Sequence, residues 1–491
     1  MLHEPRIAAR FHGRIRDCLR GALALLLGVL FIGVGQVVGA TQPGGAQSGS
    51  IPTGAAQHHA GPRGPSQSGA RQPDTAHGGS SRVGATRADV SDADASQADV
   101  SQTATPSAPR VALVTFGPGR LYWERFGHDA ILVNDPDADE PTVYNYGVFD
   151  FQQKNFLLNF ARGHMQYRLM GEPLETDLET YAVEGRSVTV QMLNLTPEQA
   201  SRLAAFLAWN ALPENSRYQY DYFINNCSTK VRDALNEVLG GALQQQLSRR
   251  PAQHTYRFDS IRLVSPDFWL ALGMDAGFGP RADRPLNLWQ ESFAPEVLSL
   301  AVRSVVVPDP HGGTRPLVSD EEVVLAARLP LPPAAPPEHR WPFLAVGIAL
   351  ATLLFWLGSG NGRFHRASFA LLAGAWWLLC GVSGLTFAAL WGLTQHWAAW
   401  GNQNLLLFNP LCLVLPVSWW YAPRGARYLA ILIALGALLS PIIRMLPGLY
   451  ESNLPFIALA VPVHVSLAVL AWRQRLAHGV AVRGDSRLAC D

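Results

Sequence analysis

Five apolar runs close this chain, and they restrict its architecture more than any other feature. After a proline-rich stretch at 329–337 they cover residues 341–358, 367–393, 405–421, 428–446 and 455–472. A helix needs roughly 20 apolar residues to cross a bilayer core. Four of the runs are near that length, and the second is long enough to cross at a tilt. Buried helices of a soluble domain are a poor alternative, because five such runs follow one another with few charges between them. The sequence therefore predicts five transmembrane helices.

Loop charges orient them. Arg363 and Arg366 follow the first run, Arg424 and Arg427 the third, and Arg473, Arg475, Arg483 and Arg487 the fifth. The 394–404 loop has no Lys or Arg, and the 447–453 segment has only Arg444 at its edge. Basic loops stay in the cytosol, so the tail at 473–491 is predicted to be cytosolic and the chain before residue 341 to lie outside. The N-terminus agrees. Arg6, Arg10, Arg14, Arg16 and Arg20 precede an uncharged apolar run at 23–38 that ends in Gly39-Ala40. These are the marks of a secretory signal, and the rival reading, an uncleaved anchor over 1–40, exports the following chain equally well.

Residues 41–109 are Ser, Gly, Ala, Gln, Asp and Pro with hardly an aromatic, and read as a disordered linker. Residues 110–329 have globular composition, and a hinge at 330–340 leads to the membrane. Charged residues are 16% of the chain, below the roughly 25% of soluble proteins, as membrane helices and a neutral linker require. The formal net charge is +1, which speaks against a nucleic-acid partner.

The exported part reads as α+β. Strands are predicted at 111–116, 130–134, 142–151 and 187–195. Thr196, Pro197 and Gln199 mark a helix start with a capping box, and Leu203, Phe206, Leu207 and Ala211 are expected on its buried face. A second helix is predicted near Cys227, with Val231, Leu235 and Val238 inward.

Of five cysteines, Cys227 is the only one in the exported domain, so it has no partner there for a disulfide. Asn226 before it is a good N-cap, which puts Cys227 in a first helical turn. Backbone N–H groups and the helix dipole there lower a thiol pKa and can hold an oxyanion. Asn225 and Asn226 are candidate side-chain donors. A thiol nucleophile needs a base. His128, at the start of a strand after Gly127, is the first candidate, with Asn145 on the next strand to orient its ring. His164 in a loop is the second, and His254 and His311 read as solvated surface. The alternative for Cys227 is a buried, inert core thiol. No HExxH or CxxC is present, so no metal ligand set is expected.

The run Phe126-Gly127-His128, then Tyr144-Asn145-Tyr146-Gly147-Val148-Phe149-Asp150-Phe151, then Asn226-Cys227-Ser228-Thr229 resembles the Lnb-type exported domain. The C-terminal region, with its segment from Asn402 to Leu411, resembles that family's membrane part. The resemblance implies a circularly permuted papain-like fold, similar to the lecithin:retinol acyltransferase group. It implies N-acylation of bacterial lipoproteins at the inner membrane, from a phospholipid donor to a lipoprotein acceptor, with no cofactor. Cys227 would be the nucleophile and His128 the base. His396 and Asn404, at the outer loop, would line an acyl entrance, against the plainer reading of an interfacial aromatic belt. The alternatives left open are a papain-like amidase or peptidase and a non-enzymatic exported binding module.

Overall fold

The computed structural model describes residues 108–149, 153–421 and 423–488. The expected leader and nearly all of the expected linker lie outside the described residues. The exported domain is built on a seven-stranded sheet in the order β6-β4-β3-β2-β1-β5-β9, with a separate β7-β8 pair. The strands are β1 (Arg110–Phe116), β2 (His128–Asn134), β3 (Thr142–Val148), β4 (Met165–Pro173), β5 (Val188–Leu193), β6 (Arg217–Tyr220), β7 (Val306–Pro308), β8 (Thr314–Pro316) and β9 (Val318–Leu325). Every neighbouring pair is antiparallel. The helices are α1 (Phe156–Arg162), α2 (Leu174–Glu184), α3 (Pro197–Asn210), α4 (Cys227–Val238), α5 (Ala242–Leu247), α6 (Tyr256–Val264), α7 (Phe268–Gly277), α8 (Leu288–Glu291) and α9 (Pro295–Val302).

Alternation along the central strands divides the core. Val111 and Leu113 of β1 and Ile131 and Val133 of β2 pack with Leu203, Leu207, Val231 and Leu235 of α3 and α4. Ala112, Val114, Phe116, Ala130 and Leu132 face the other way, toward Leu174, Leu178 and Tyr181 of α2. The centre of the sheet is thus buried on both faces, which explains why β1 and β2 read as nearly continuous apolar runs. The Thr196 capping box forms as its residues dictate. Phe206 departs from its expected place and points to solvent. Leu203 and Leu207, one full turn apart, define the buried stripe and leave Phe206 on its flank. β3 ends at Val148 rather than continuing to 151.

The membrane region holds α10 (Arg340–Ser359), α11 (Arg363–Leu393), α12 (Leu415–Tyr421), α13 (Pro423–Ile443) and α14 (Leu454–Leu488). Four helices, α10, α11, α13 and the α14 portion Leu454–Arg473, are long and apolar enough to span a bilayer. The run at 405–421, predicted as one spanning helix, is corrected. It consists of 3-10 turns at Gln403–Leu406 and Pro410–Val414 followed by α12. Asn402 and Asn409 accept the backbone N–H groups of Asn404 and Leu411 with their side chains, and Pro410 has no N–H to give. The segment runs antiparallel to α11. Phe408 meets Phe387, a Cβ on Gly381 would meet Leu413, and Trp419 meets Trp377 and Phe369.

The two loops without basic residues both pack on the exported domain, as the charge argument requires. Asn402 Nδ2 donates to the carbonyls of Ala276 and Gly277, and Gly279 N–H donates to Ala398 at 2.8 Å. Nearby, buried Arg257 of α6 pairs with Asp283 at 3.0 Å and Asp275 at 2.9 Å. Ser452 N–H caps the same Asp283, and Glu451 accepts Gln403 N–H at 2.8 Å. Burial pushes the Glu451 carboxyl up to about 7, despite the pull of Arg257 and the Gln403 N–H. A raised folded pKa stabilises below the unfolded value and is lost as pH rises through about 7. We therefore expect the protein to unfold more easily as pH rises from 5 to 8, and Glu451→Gln to flatten that dependence. Thermal unfolding across pH in detergent measures it.

Candidate active site

Cys227 is the first residue of α4, and the turn before it is tightly specified. Asp221 receives the N–H groups of Phe223 and Ile224. Asn226 adopts an extended backbone and forms a reciprocal box with Thr229, at 2.9 Å and 2.8 Å. Its amide N–H₂ donates to the carbonyls of Tyr222 and Phe293. That accounts for its donors, so the expected oxyanion role for Asn226 is replaced by a capping one. The Asn225 amide is likewise occupied by the carbonyl of Gln219. The donors facing the Cys227 sulfur are instead backbone N–H groups, those of Asp129, Ser228 and Cys227 itself. They favour the thiolate but lose to burial, which pushes the half-buried thiol up to about 12. The expected low thiol pKa is therefore corrected. The helix terminus acts as predicted, but desolvation outweighs it.

His128 starts β2, opposite Phe116 of β1. Gly127 before it has φ of 79°, and a Cβ there would sit 2.7 Å from the Phe116 carbonyl, so close approach does require glycine. The His128 ring stacks on Phe116. Its Nε2 lies 3.0 Å from Asn145 Oδ1, and Asn145 Nδ2 donates to Asp177 Oδ2 at 2.9 Å. This relay fixes the tautomer. The Asp177 carboxylate takes the Asn145 amide N–H₂, so the amide oxygen faces His128, and His128 Nε2 must carry the proton. Nδ1 is left with the lone pair. Burial lowers the imidazole to about 4, with Asn145 opposing and Arg186 assisting the shift. The ring is neutral at physiological pH.

Two further residues join the strand to the helix. Asp129 is fully buried and receives the Thr115 hydroxyl at 2.7 Å. Ser228 Oγ stands 2.7 Å from Asp129 Oδ2 and 2.8 Å from the Ser292 carbonyl. A serine hydroxyl has one proton for these two acceptors. Both contacts are satisfied when Asp129 carries a proton and donates to Ser228, which donates to Ser292. Burial pushes Asp129 up to about 7, against the two hydroxyl bonds. Asp129, Asp177 and Ser228 were not singled out from the sequence. A lone acid opening the run Ala130-Ile131-Leu132-Val133 was the available signal for Asp129. Nothing in the sequence around Asp177 distinguishes it.

The remaining candidates lie elsewhere. His164 flanks a membrane-side groove shared with Arg162, Thr386, Leu390 and Leu393. His396 bonds the Phe160 carbonyl and stacks on Tyr222. Asn404 is fully buried in the junction, between Ala276 and Asn453, so it is a brace rather than a lining residue of an entrance. His311 sits exposed in the β7–β8 turn. His254, expected on solvated surface, is instead wedged between Asp259 and Glu291.

Residues 96–266 match the family model described as the Lnb N-terminal periplasmic domain, and residues 340–475 match the Lnb transmembrane domain. The chain belongs to the Lnb family. Its α+β domain is the periplasmic Lnb domain, and its helical region spans the membrane. No curated protein and no solved structure matched. The Lnb domain match ends at residue 266, yet β9 beyond it completes the same sheet.

The proton count on Asp129 is open to test. Asp129→Asn preserves every contact, its amide donating to Ser228, and should leave stability nearly unchanged at neutral pH. Asp129→Ala leaves the Thr115 hydroxyl without its acceptor and Ser228 without a donor, and should cost about 1–3 kcal/mol. Chemical denaturation of both variants decides between these outcomes.

Proposed function

We propose that this Lnb protein is a cysteine acyltransferase of the bacterial inner membrane, with a permuted papain-like domain in the periplasm and its C-terminus in the cytosol. It moves an acyl chain from a phospholipid to the N-terminal amine of a lipoprotein. The observation that carries the reading is the His128–Asn145–Asp177 relay, which leaves Nδ1 as the basic atom one residue from the N–H that meets the Cys227 sulfur.

The thiol rests protonated and the imidazole neutral, so proton transfer accompanies attack. Nδ1 takes the Cys227 proton as the sulfur bonds the ester carbonyl carbon of the phospholipid. Backbone N–H groups at the start of α4 receive the developing oxyanion. The ester C–O bond breaks, and the lysophospholipid oxygen leaves with the proton from Nδ1. In the second half the lipoprotein amine attacks the thioester and gives a proton to Nδ1. The C–S bond breaks, and the thiolate recovers that proton.

The surroundings suit lipid substrates. Leu157 and Leu158 of α1 are exposed, and the same helix adjoins the membrane loop, where Gln395 N–H donates to Arg162. The Arg162 and His164 groove opens along the apolar outer end of α11, a cationic and apolar pairing that fits a phospholipid. Trp397 of the membrane loop donates to Asp221 at 2.9 Å, tying the turn before Cys227 to the bilayer side.

Mass spectrometry of lipoprotein N-termini tests the reading. Cells relying on the wild-type protein should contain N-acylated lipoproteins, and those with Cys227→Ala the free amine, while the variant still inserts. Equal acylation in both sinks the proposal. The pH profile supplies a second check. Because His128 must be neutral to act, and titrates at about 4, thioester formation should hold its rate as pH falls from 8 to 5. A decline centred near 6.5 would contradict the assigned base.

A further inference from the structure

Outside the Cys227 site, the fold gathers three side chains that sequence spacing keeps apart. His254 precedes α6, Asp259 lies within it, and Glu291 ends α8. One ligand atom from each falls within 4.8 Å of the other two. His254 Nδ1 is 3.4 Å from Asp259 Oδ1 and 3.2 Å from Glu291 Oε1. Bonds of 2.0–2.1 Å from a tetrahedral zinc ion to its N and O ligands imply ligand–ligand edges of about 3.3 Å. Both separations match that edge.

The supporting contacts are those of a built site. Asp259 is fully buried, and neither carboxylate oxygen receives a hydrogen bond among the described residues. Arg262 stands 3.7 Å away, closer to Glu296 at 3.2 Å. A buried carboxylate with no donor is costly unless a cation answers it. Glu291 is held from behind, its oxygens accepting the N–H groups of His254 at 3.0 Å and Gln253 at 3.2 Å. The His254 ring lies flat on Phe258, with centroids 4.1 Å apart. This is the outer-shell support that metal ligands receive. The His254 side chain is partly exposed, so the cluster lies close to solvent, the source of a fourth ligand.

We propose that His254, Asp259 and Glu291 bind one zinc ion that staples α6 to α8. The staple has structural reach. α6 carries Arg257, the centre of the membrane junction. Glu291 is followed by Ser292 and Phe293, whose carbonyls hold Ser228 and Asn226 at the start of the Cys227 helix. A cation here joins the junction to the base of the active site without touching the reacting atoms.

The test uses the full-length protein in detergent, stripped with a chelator and then given zinc chloride. Elemental mass spectrometry should find about one zinc per chain, and thermal unfolding should shift upward on zinc addition. His254→Gln, at a partly exposed position, should fold and lose at least tenfold in zinc affinity, as should Glu291→Gln. A folded wild-type chain that takes up no zinc at micromolar concentration overturns the proposal. So does zinc uptake that His254→Gln leaves unchanged, which would locate the ion on other histidines. Equal or tighter binding of manganese overturns the choice of zinc.

Discussion

Arg257 is the interaction on which the arrangement of this molecule depends. Its guanidinium is buried where the periplasmic domain meets the membrane helices, and it neutralises Asp275 and Asp283 while donating to the carbonyls of Phe278 and Gly279. Asp283 in turn caps Ser452 from the far loop of the membrane region. Removing the arginine would leave buried carboxylates without a counter-charge, a change that costs several kcal/mol. A Pro-rich hinge alone would let the domain swing. The Arg257 network, with Asn402 and Asn404 beside it, makes the domain a fixed attachment.

The active-site chemistry follows from a similar balance between burial and polar contacts. Helix-terminal N–H groups pull the thiol down and desolvation pushes it up, and desolvation is the larger effect. Desolvation also keeps His128 neutral. A resting thiolate–imidazolium pair is therefore disfavoured on both sides. Burial, rather than the polar contacts of either group, thus sets the resting state of both the thiol and the imidazole.

Much of this was legible in the sequence because the signals were local. The Asn226 cap, the Thr196 box, the Gly127 approach to Phe116 and the alternating basic loops each depend on a few neighbouring residues. What was missed depends on long-range placement. Asp177 meets Asn145 from the helix that follows β4, 32 positions on, and Glu291 meets His254 across 37 positions. The low thiol pKa was misjudged because helix position is local, whereas desolvation depends on the whole fold. The third crossing was misread because hydropathy registers apolar content and is blind to the side-chain caps of Asn402 and Asn409.

That broken crossing constrains how the membrane region is made. Residues 403–414 form short 3-10 turns rather than a continuous α-helix, and lipid offers no partners for the backbone groups such turns leave free. The segment cannot rest in the bilayer as an independent unit, as α10 or α13 can. It becomes stable only against α11, where Gly381 and Gly384 let its backbone come close, and under His464 of α14, whose Nε2 meets the Leu407 carbonyl. The segment therefore depends on the last helix of the chain for part of its cover. Any truncation before α14 removes that cover and should leave the membrane region unassembled rather than merely shortened.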